Sequence, residues 1–207
     1  MAAAWIARRL RDAVRRRGSA SIALSGGSTA PAMIDALLEL DVPWHAVSVW
    51  QVDERIAPDG DVARNARQLE RLPVSSRRVW LMPVTSTDVR AAARRYAATL
   101  PDRFDVVHLG IGGDGHTASW PPGVDDIANS TRPVEITDTF DRWHRMTLTR
   151  SVVNAARSRV VLAAGSGKRP VIERWLLADT SLPISNVRRS NTWVFLDQAA
   201  APRVTLH

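Results

Sequence analysis
The chain is predicted to fold as a single-domain α/β protein over residues 1–207, built on a doubly wound, mostly parallel sheet. Three observations lead there. Stretches of helical and of strand character alternate along the whole length, the pattern of βαβ units. Two strand-like stretches run straight into glycine-rich turns, at Ser25–Thr29 and Gly110–Gly115. No repeat or low-complexity linker divides the 207 residues, and that length supports one substantial core.

The elements follow in order. Residues 3–17 form a helix, with Ile6, Leu10, Ala13 and Val14 at helical spacing on one face and most of Arg8, Arg9, Arg11, Arg15, Arg16 and Arg17 on the solvated one. Ser21–Leu24 is a short strand, Ser25–Thr29 a turn, and Pro31–Leu40 a helix whose proline sits at its start. A strand at Val47–Val52 precedes a polar loop, a helix at Ala63–Leu72, a strand at Val79–Met82 and a helix at Val89–Leu100. Phe104–Gly110 is the central buried strand, with apolar Val106, Val107 and Leu109. Arg145–Thr149, Arg159–Ala164 and Thr192–Leu196 are later strands, with a helix at Lys168–Leu177 between the last two. Residues 120–144 receive no element.

Composition removes several function classes. With no cysteine, disulfides, thiolate metal sites and thiol catalysis are excluded. No apolar run approaches a membrane span, and the N-terminus lacks the order of a signal peptide, so a cytoplasmic protein that does not engage membranes is expected. The net charge is +7, and of 28 basic residues only Lys168 is lysine. Such a charge suits nucleic acid or small anions. The arginine-rich first helix is read as a soluble face, and without interleaved aromatics or a zinc-finger pattern no nucleic-acid partner is expected.

Chemistry concentrates in four places. Phe104–Ser119 is a strand ending in Gly110, Gly112, Gly113 and Gly115 around Asp114 and His116. Glycines there allow unusual backbone angles and close approach of a ligand to the main chain, and the carboxyl end of a central strand is where open α/β sheets hold their ligands. Asp114 and His116 have the character of an orienting acid and a base. Gly26, Gly27, Ser28 and Thr29, between strand and helix, can cradle a phosphate on backbone N–H groups and hydroxyls. The same residues would equally serve as an ordinary N-cap. In Trp50–Arg55, Arg55 can clamp an anion and Asp53 can bind sugar hydroxyls, or the group is a surface ion pair. Lys168 in Gly165-Ser-Gly-Lys168, where a lone lysine could also stand by chance, and Arg145 are further candidate anion ligands. Histidines 45, 108, 116, 144 and 207 show no metal-ligand spacing, so no metal site is expected.

Taken together, Leu24–Thr29, Val52–Arg55 with Asn65, Leu109–Ser119 followed by Pro121–Gly123, Arg145–Thr149 and Gly165–Lys168 resemble the blocks of the 6-phosphogluconolactonase family, within the group that also holds glucosamine-6-phosphate deaminase. Asp53-Glu-Arg55 and Asp114–Ser119 favour the lactonase branch. The resemblance implies a Rossmann-like sheet and metal- and cofactor-free hydrolysis of 6-phospho-D-glucono-1,5-lactone to 6-phosphogluconate in the pentose phosphate route, by a monomer or weak homodimer. It further implies His116 as the base activating water and Asp114 as its support. Arg55 and the N–H groups of Gly112 and Gly113 would meet the oxyanion, and Ser28, Thr29, Arg145 and Lys168 the 6-phosphate. A non-catalytic sugar-phosphate sensor and an amino-sugar-phosphate isomerase or deaminase are the alternatives. The chain begins close to the first glycine loop, so its N-terminus reads as shortened. Pro31, Arg64 and Trp120 depart from the family pattern and are expected to shape the pocket.

Overall fold
Alternation of apolar residues with period two decides how the sheet is covered. In the computed structural model, which describes residues 1–203, β1 (Ala20–Leu24), β2 (Val47–Gln51), β4 (Val79–Trp80), β5 (Val106–Gly110), β8 (Arg159–Ala163) and β9 (Thr192–Leu196) form one sheet of order β4-β2-β1-β5-β8-β9. Every pairing in it is parallel. Ile22, Leu24, Val106 and Val160 face one core with Ile6 and Leu10 of α1 (Ala2–Arg17) and Met33, Ile34 and Leu37 of α2 (Ala30–Leu38). The intervening Ala23, Val107, Leu109 and Val161 face a second core with Ala92 and Tyr96 of α4 (Val89–Ala97) and Ile172 and Trp175 of α7 (Arg169–Leu176). Apolar on both faces, these strands suit a sheet covered on both sides.

The chain leaves β1 toward β2 and β4, and later leaves β5 in the opposite direction toward β8 and β9. The sheet therefore reverses its order between β1 and β5, where such folds open a crevice at the carboxyl ends of the strands. Both glycine-rich turns leave from that point.

A second, three-stranded sheet of order β3-β7-β6 stands at this rim, made of β3 (Asp53–Arg55), β6 (Val134–Phe140) and β7 (Trp143–Leu148), all antiparallel. The strand expected at Arg145–Thr149 belongs here and not in the parallel sheet. The Val52 N–H donates to the Leu24 carbonyl (3.0 Å) and its carbonyl accepts from the Leu148 N–H (2.8 Å), so this one residue joins the two sheets.

Other expected elements are shortened for local reasons. Asp61 takes the Ala63 N–H on its carboxylate (2.8 Å) and the Arg64 N–H on its carbonyl (3.0 Å). This turn competes with helix and delays α3 to Ala66–Leu69. The Met82 N–H donates to the Gln51 side chain (2.6 Å), so it is lost to the ladder and β4 ends at Trp80. Short helices α5 (Asp125–Asn129) and α6 (Arg150–Ala155) complete the order. Among the described residues no helix is long and apolar enough to cross a membrane. His207 lies outside the described residues.

Candidate active site
The crevice between β1 and β5 is a cavity of about 170 Å³, walled by both glycine turns, the β3–β7 rim and the loop before α7. Gly26, Gly27, Ser28, Thr29, Asp53, Arg55, Gly112, His116, Arg145 and Lys168 line it together. Asp114 and Gly113 do not line it. Asp114 stands behind His116, and Gly113 packs toward Gly167 of the loop before α7.

His116 is held at one nitrogen. Its Nδ1 lies 2.6 Å from an Asp114 carboxylate oxygen, which also accepts the His116 backbone N–H at 3.1 Å. That leaves Nε2 as the ring nitrogen not engaged by Asp114, on a ring 32% exposed. Partial burial by itself would push the Asp114 carboxyl up, but the N–H groups and charge of His116 outweigh it and hold the carboxyl below its ordinary value. A carboxylate that stays ionised fixes the Nδ1–H tautomer. A Cβ at Gly112 would overlap the His116 ring and the Asp114 carboxylate. This glycine makes room for the dyad itself, a use other than the expected approach of ligand to backbone. Nor is the Gly112 N–H free for an oxyanion: it donates to the His116 carbonyl at 2.8 Å.

The first glycine turn is the opposite case. Thr29 makes no side-chain cap on α2, and among the described residues Gly26, Gly27, Ser28 and Thr29 donate their N–H groups to no backbone acceptor. The Ser25 hydroxyl is buried against the cavity with no partner among the described residues. Unspent donors at the positive end of a helix are what an anion requires.

The rim supplies charge. Arg55 of β3 is the cross-strand partner of Arg145 of β7, and like charges placed opposite each other are unfavourable unless something answers them. Asp53 is buried and accepts from the Ser119 hydroxyl at 2.8 Å. Burial pushes its carboxyl up, opposed by Arg55, Ser119 and Arg145. Burial likewise lowers Arg145, and neighbouring Arg55 adds to this. Lys168 opens α7 on the far wall. Among the described residues no group of three His, Asp or Glu side chains is placed to hold a metal ion.

Sequence reasoning gave no structural role to several residues under the rim. Asn65 accepts from the Arg55 guanidinium and donates to the Asp53 carbonyl at 2.9 Å, aiming Arg55. A Cβ at Gly26 would overlap the Asn65 side chain. Beneath lies Glu54, wholly buried, taking the N–H groups of Arg55, Asn65 and Ala66 and the Gln51 amide, each at 2.8 Å. Arg64 sits 3.2 Å from Glu54 as an ion pair whose Nε–H is not aligned for a hydrogen bond. Arg64 thus serves the buried support under the rim, outside the cavity lining. Trp120 also lies outside the lining, wholly buried, with its indole N–H on the Leu148 carbonyl at 2.8 Å. Neither departure narrows the pocket.

The model of the family described as glucosamine-6-phosphate isomerases/6-phosphogluconolactonase matches residues 1–196. A 6-phosphogluconolactonase of Streptomyces coelicolor is 32% identical over 240 residues, covering 98% of this chain and 89% of its own length. The crystal structure of a 6-phosphogluconolactonase from Thermotoga maritima superimposes with a TM-score of 0.86 at 25% identity, over 94% of this chain and 92% of that one. A monomeric glucosamine-6-phosphate deaminase superimposes with a TM-score of 0.80 at 16% identity, over 96% of this chain and 93% of that one, a likeness of fold alone.

Proposed function
As the chain belongs to the glucosamine-6-phosphate isomerase/6-phosphogluconolactonase family, we propose that its cavity hydrolyses 6-phospho-D-glucono-1,5-lactone to 6-phosphogluconate, with His116 as general base. Nε2 of His116 removes a proton from water as the oxygen attacks the lactone carbonyl, and Asp114 holds the Nδ1–H and steadies the imidazolium that forms. The tetrahedral oxyanion is met by Arg55. As the intermediate collapses, the carbonyl re-forms and the ring C–O bond breaks. The leaving alkoxide takes the proton back from His116, and the product carboxyl ionises to solvent. Ser28, Thr29, Arg145 and Lys168 hold the 6-phosphate, an anchor that spends remote binding energy on orienting the carbonyl.

One observation carries this reading. A half-exposed imidazole backed by a carboxylate opens onto a cavity whose other walls hold unspent helix-end N–H groups, two opposed guanidiniums and a lysine. The base comes from the second glycine turn, and the anion-binding groups from the first turn, the rim strands and the start of α7, so one ligand can meet both. The protein is taken to act in the cytoplasm as a monomer or weak homodimer, without nucleic acid or membrane.

The test is the decay of the lactone at fixed pH with and without protein, because spontaneous opening sets the background. Acceleration above buffer is expected. Decay no faster than buffer would refute the reading, and release of ammonia from glucosamine 6-phosphate would move the chain to the deaminase branch.

A further inference from the structure
The hairpin joining β6 to β7 brings a residue to the site that none of the family-like motifs contains. Its closing pair is Phe140 and Trp143, and the two residues between them, Asp141 and Arg142, have φ of 49° and 73°. Two successive left-handed residues form the tight turn that matches strand twist, here without the glycine that would make it easy. The pairing of Phe140 with Trp143 sets where Phe140 stands.

Phe140 touches both halves of the site. The Arg145 guanidinium carbon lies over its ring, 4.9 Å from the centroid. The Arg145 Nε–H donates to the Phe140 carbonyl at 3.1 Å, and a second guanidinium N–H reaches the Asp141 carboxylate at 3.3 Å. The His116 ring meets the Phe140 ring at 80°, with centroids 5.0 Å apart. A cation over an aromatic face and a perpendicular ring pair are both attractive and directional. Asp114 holds His116 at Nδ1, which leaves the ring a pivot about that bond. Phe140 is the second point that stops it.

We propose that Phe140 is a positioning residue that sets the base His116 and the anion-gripping Arg145 in one geometry, so that a single hairpin tip orients both the proton acceptor and the phosphate ligand. This rests on the lactonase reading of the site. It also predicts a pattern that a purely structural side chain would not give.

Phe140→Leu keeps apolar bulk and removes the ring face. It is expected to lower kcat and raise KM, each by about three- to tenfold, the size of a lost aromatic contact. Phe140→Tyr, which keeps the ring, should return both to within about twofold of the parent. In an Arg145→Ala background, Phe140→Leu should still lower kcat through His116 but no longer raise KM. A Phe140→Leu enzyme with parent kinetics overturns the proposal, as does one whose KM effect persists unchanged without Arg145. Nitrogen-15 spectra of the His116 ring provide a readout independent of turnover. The Phe140→Leu variant should shift or broaden the Nδ1 and Nε2 signals, and unchanged signals overturn the proposal. If the parent protein fails to accelerate lactone decay, the lactonase reading falls while the spectra still decide the role of Phe140.

Discussion

Arg145 and Arg159 are both buried arginines on strands, and they do opposite things with their donors. Arg159 is 1% exposed and is saturated: its guanidinium donates to the Thr192 hydroxyl and to the carbonyls of Val153, Asn154, Ala156 and Ser190. It closes the end of α6 onto the start of β9 and has little left for a ligand. Arg145 is 3% exposed but, among the described residues, its side chain is hydrogen-bonded only to the hairpin tip; it faces another arginine across the strand pair and borders the cavity. Two histidines show that spare polar atoms are not enough without the cavity. His108 of β5 is fully buried with neither ring nitrogen hydrogen-bonded among the described residues, while His116, eight residues on, is partly exposed and tethered to a carboxylate. Burial alone does not single out the residues of the proposed site; their position beside the cavity does.

The sharpest way to break the contrast is to unhitch His116. Asp114→Asn should reduce kcat by about 10²- to 10³-fold through the wrong tautomer, by analogy with the acid of a catalytic triad. Its melting temperature should stay near the parent's, because both side chains of the dyad are partly exposed and lie outside the core. Next in size is Arg159→Ala, which leaves a row of buried carbonyls unpaired. A loss of about 3 kcal/mol in urea unfolding is expected, with kcat and KM of the folded protein unchanged.

His108 comes third, through pH. Burial lowers its pKa from 6.5 to about 4. The unfolded chain therefore binds a proton that the fold refuses: stability is full above pH 6.5, falls as the pH drops toward 4, and falls no further below that. At about pH 5 the parent should have lost on the order of 2 kcal/mol to this one residue, and His108→Leu should recover it. Urea curves at pH 7 and 5 for both proteins check this. The smallest effect is that of Arg145→Ala, with a KM rise of about tenfold and a stability loss well below that of Arg159→Ala, since relief of the repulsion with Arg55 offsets part of the lost contacts. An Arg145→Ala protein that unfolds as readily as Arg159→Ala would erase the distinction between the two arginines.

Much of this site was legible in the residues because its parts are local. Asp114 and His116 sit two apart inside a glycine turn, and the Ser25–Thr29 turn lies between a clear strand and a clear helix. The alternating order of elements made the parallel sheet and its crevice readable as well. What escaped was non-local. β3 is three charged or acidic residues, Asp-Glu-Arg, with no strand character of its own, and it exists because β7 pairs with it. β6 reads Val-Glu-Ile-Thr-Asp-Thr-Phe, where polar residues on both faces dilute the alternation. Without that hairpin, Phe140 had no place near His116. Asn65 was quoted for its likeness to a motif, but its role in aiming Arg55 needed the register of β3. Trp120 misled because adjacency to the glycine turn suggested the pocket, whereas Ala118 with φ of 50° turns the chain and sends Trp120 into the core.

The most direct test is lactone hydrolysis by His116→Ala at constant pH, alongside 6-phosphogluconate binding and thermal melting of the same variant. The account predicts decay at the buffer rate, with binding and melting temperature close to the parent's. A His116→Ala protein that binds, melts and hydrolyses at the parent's full rate would contradict it.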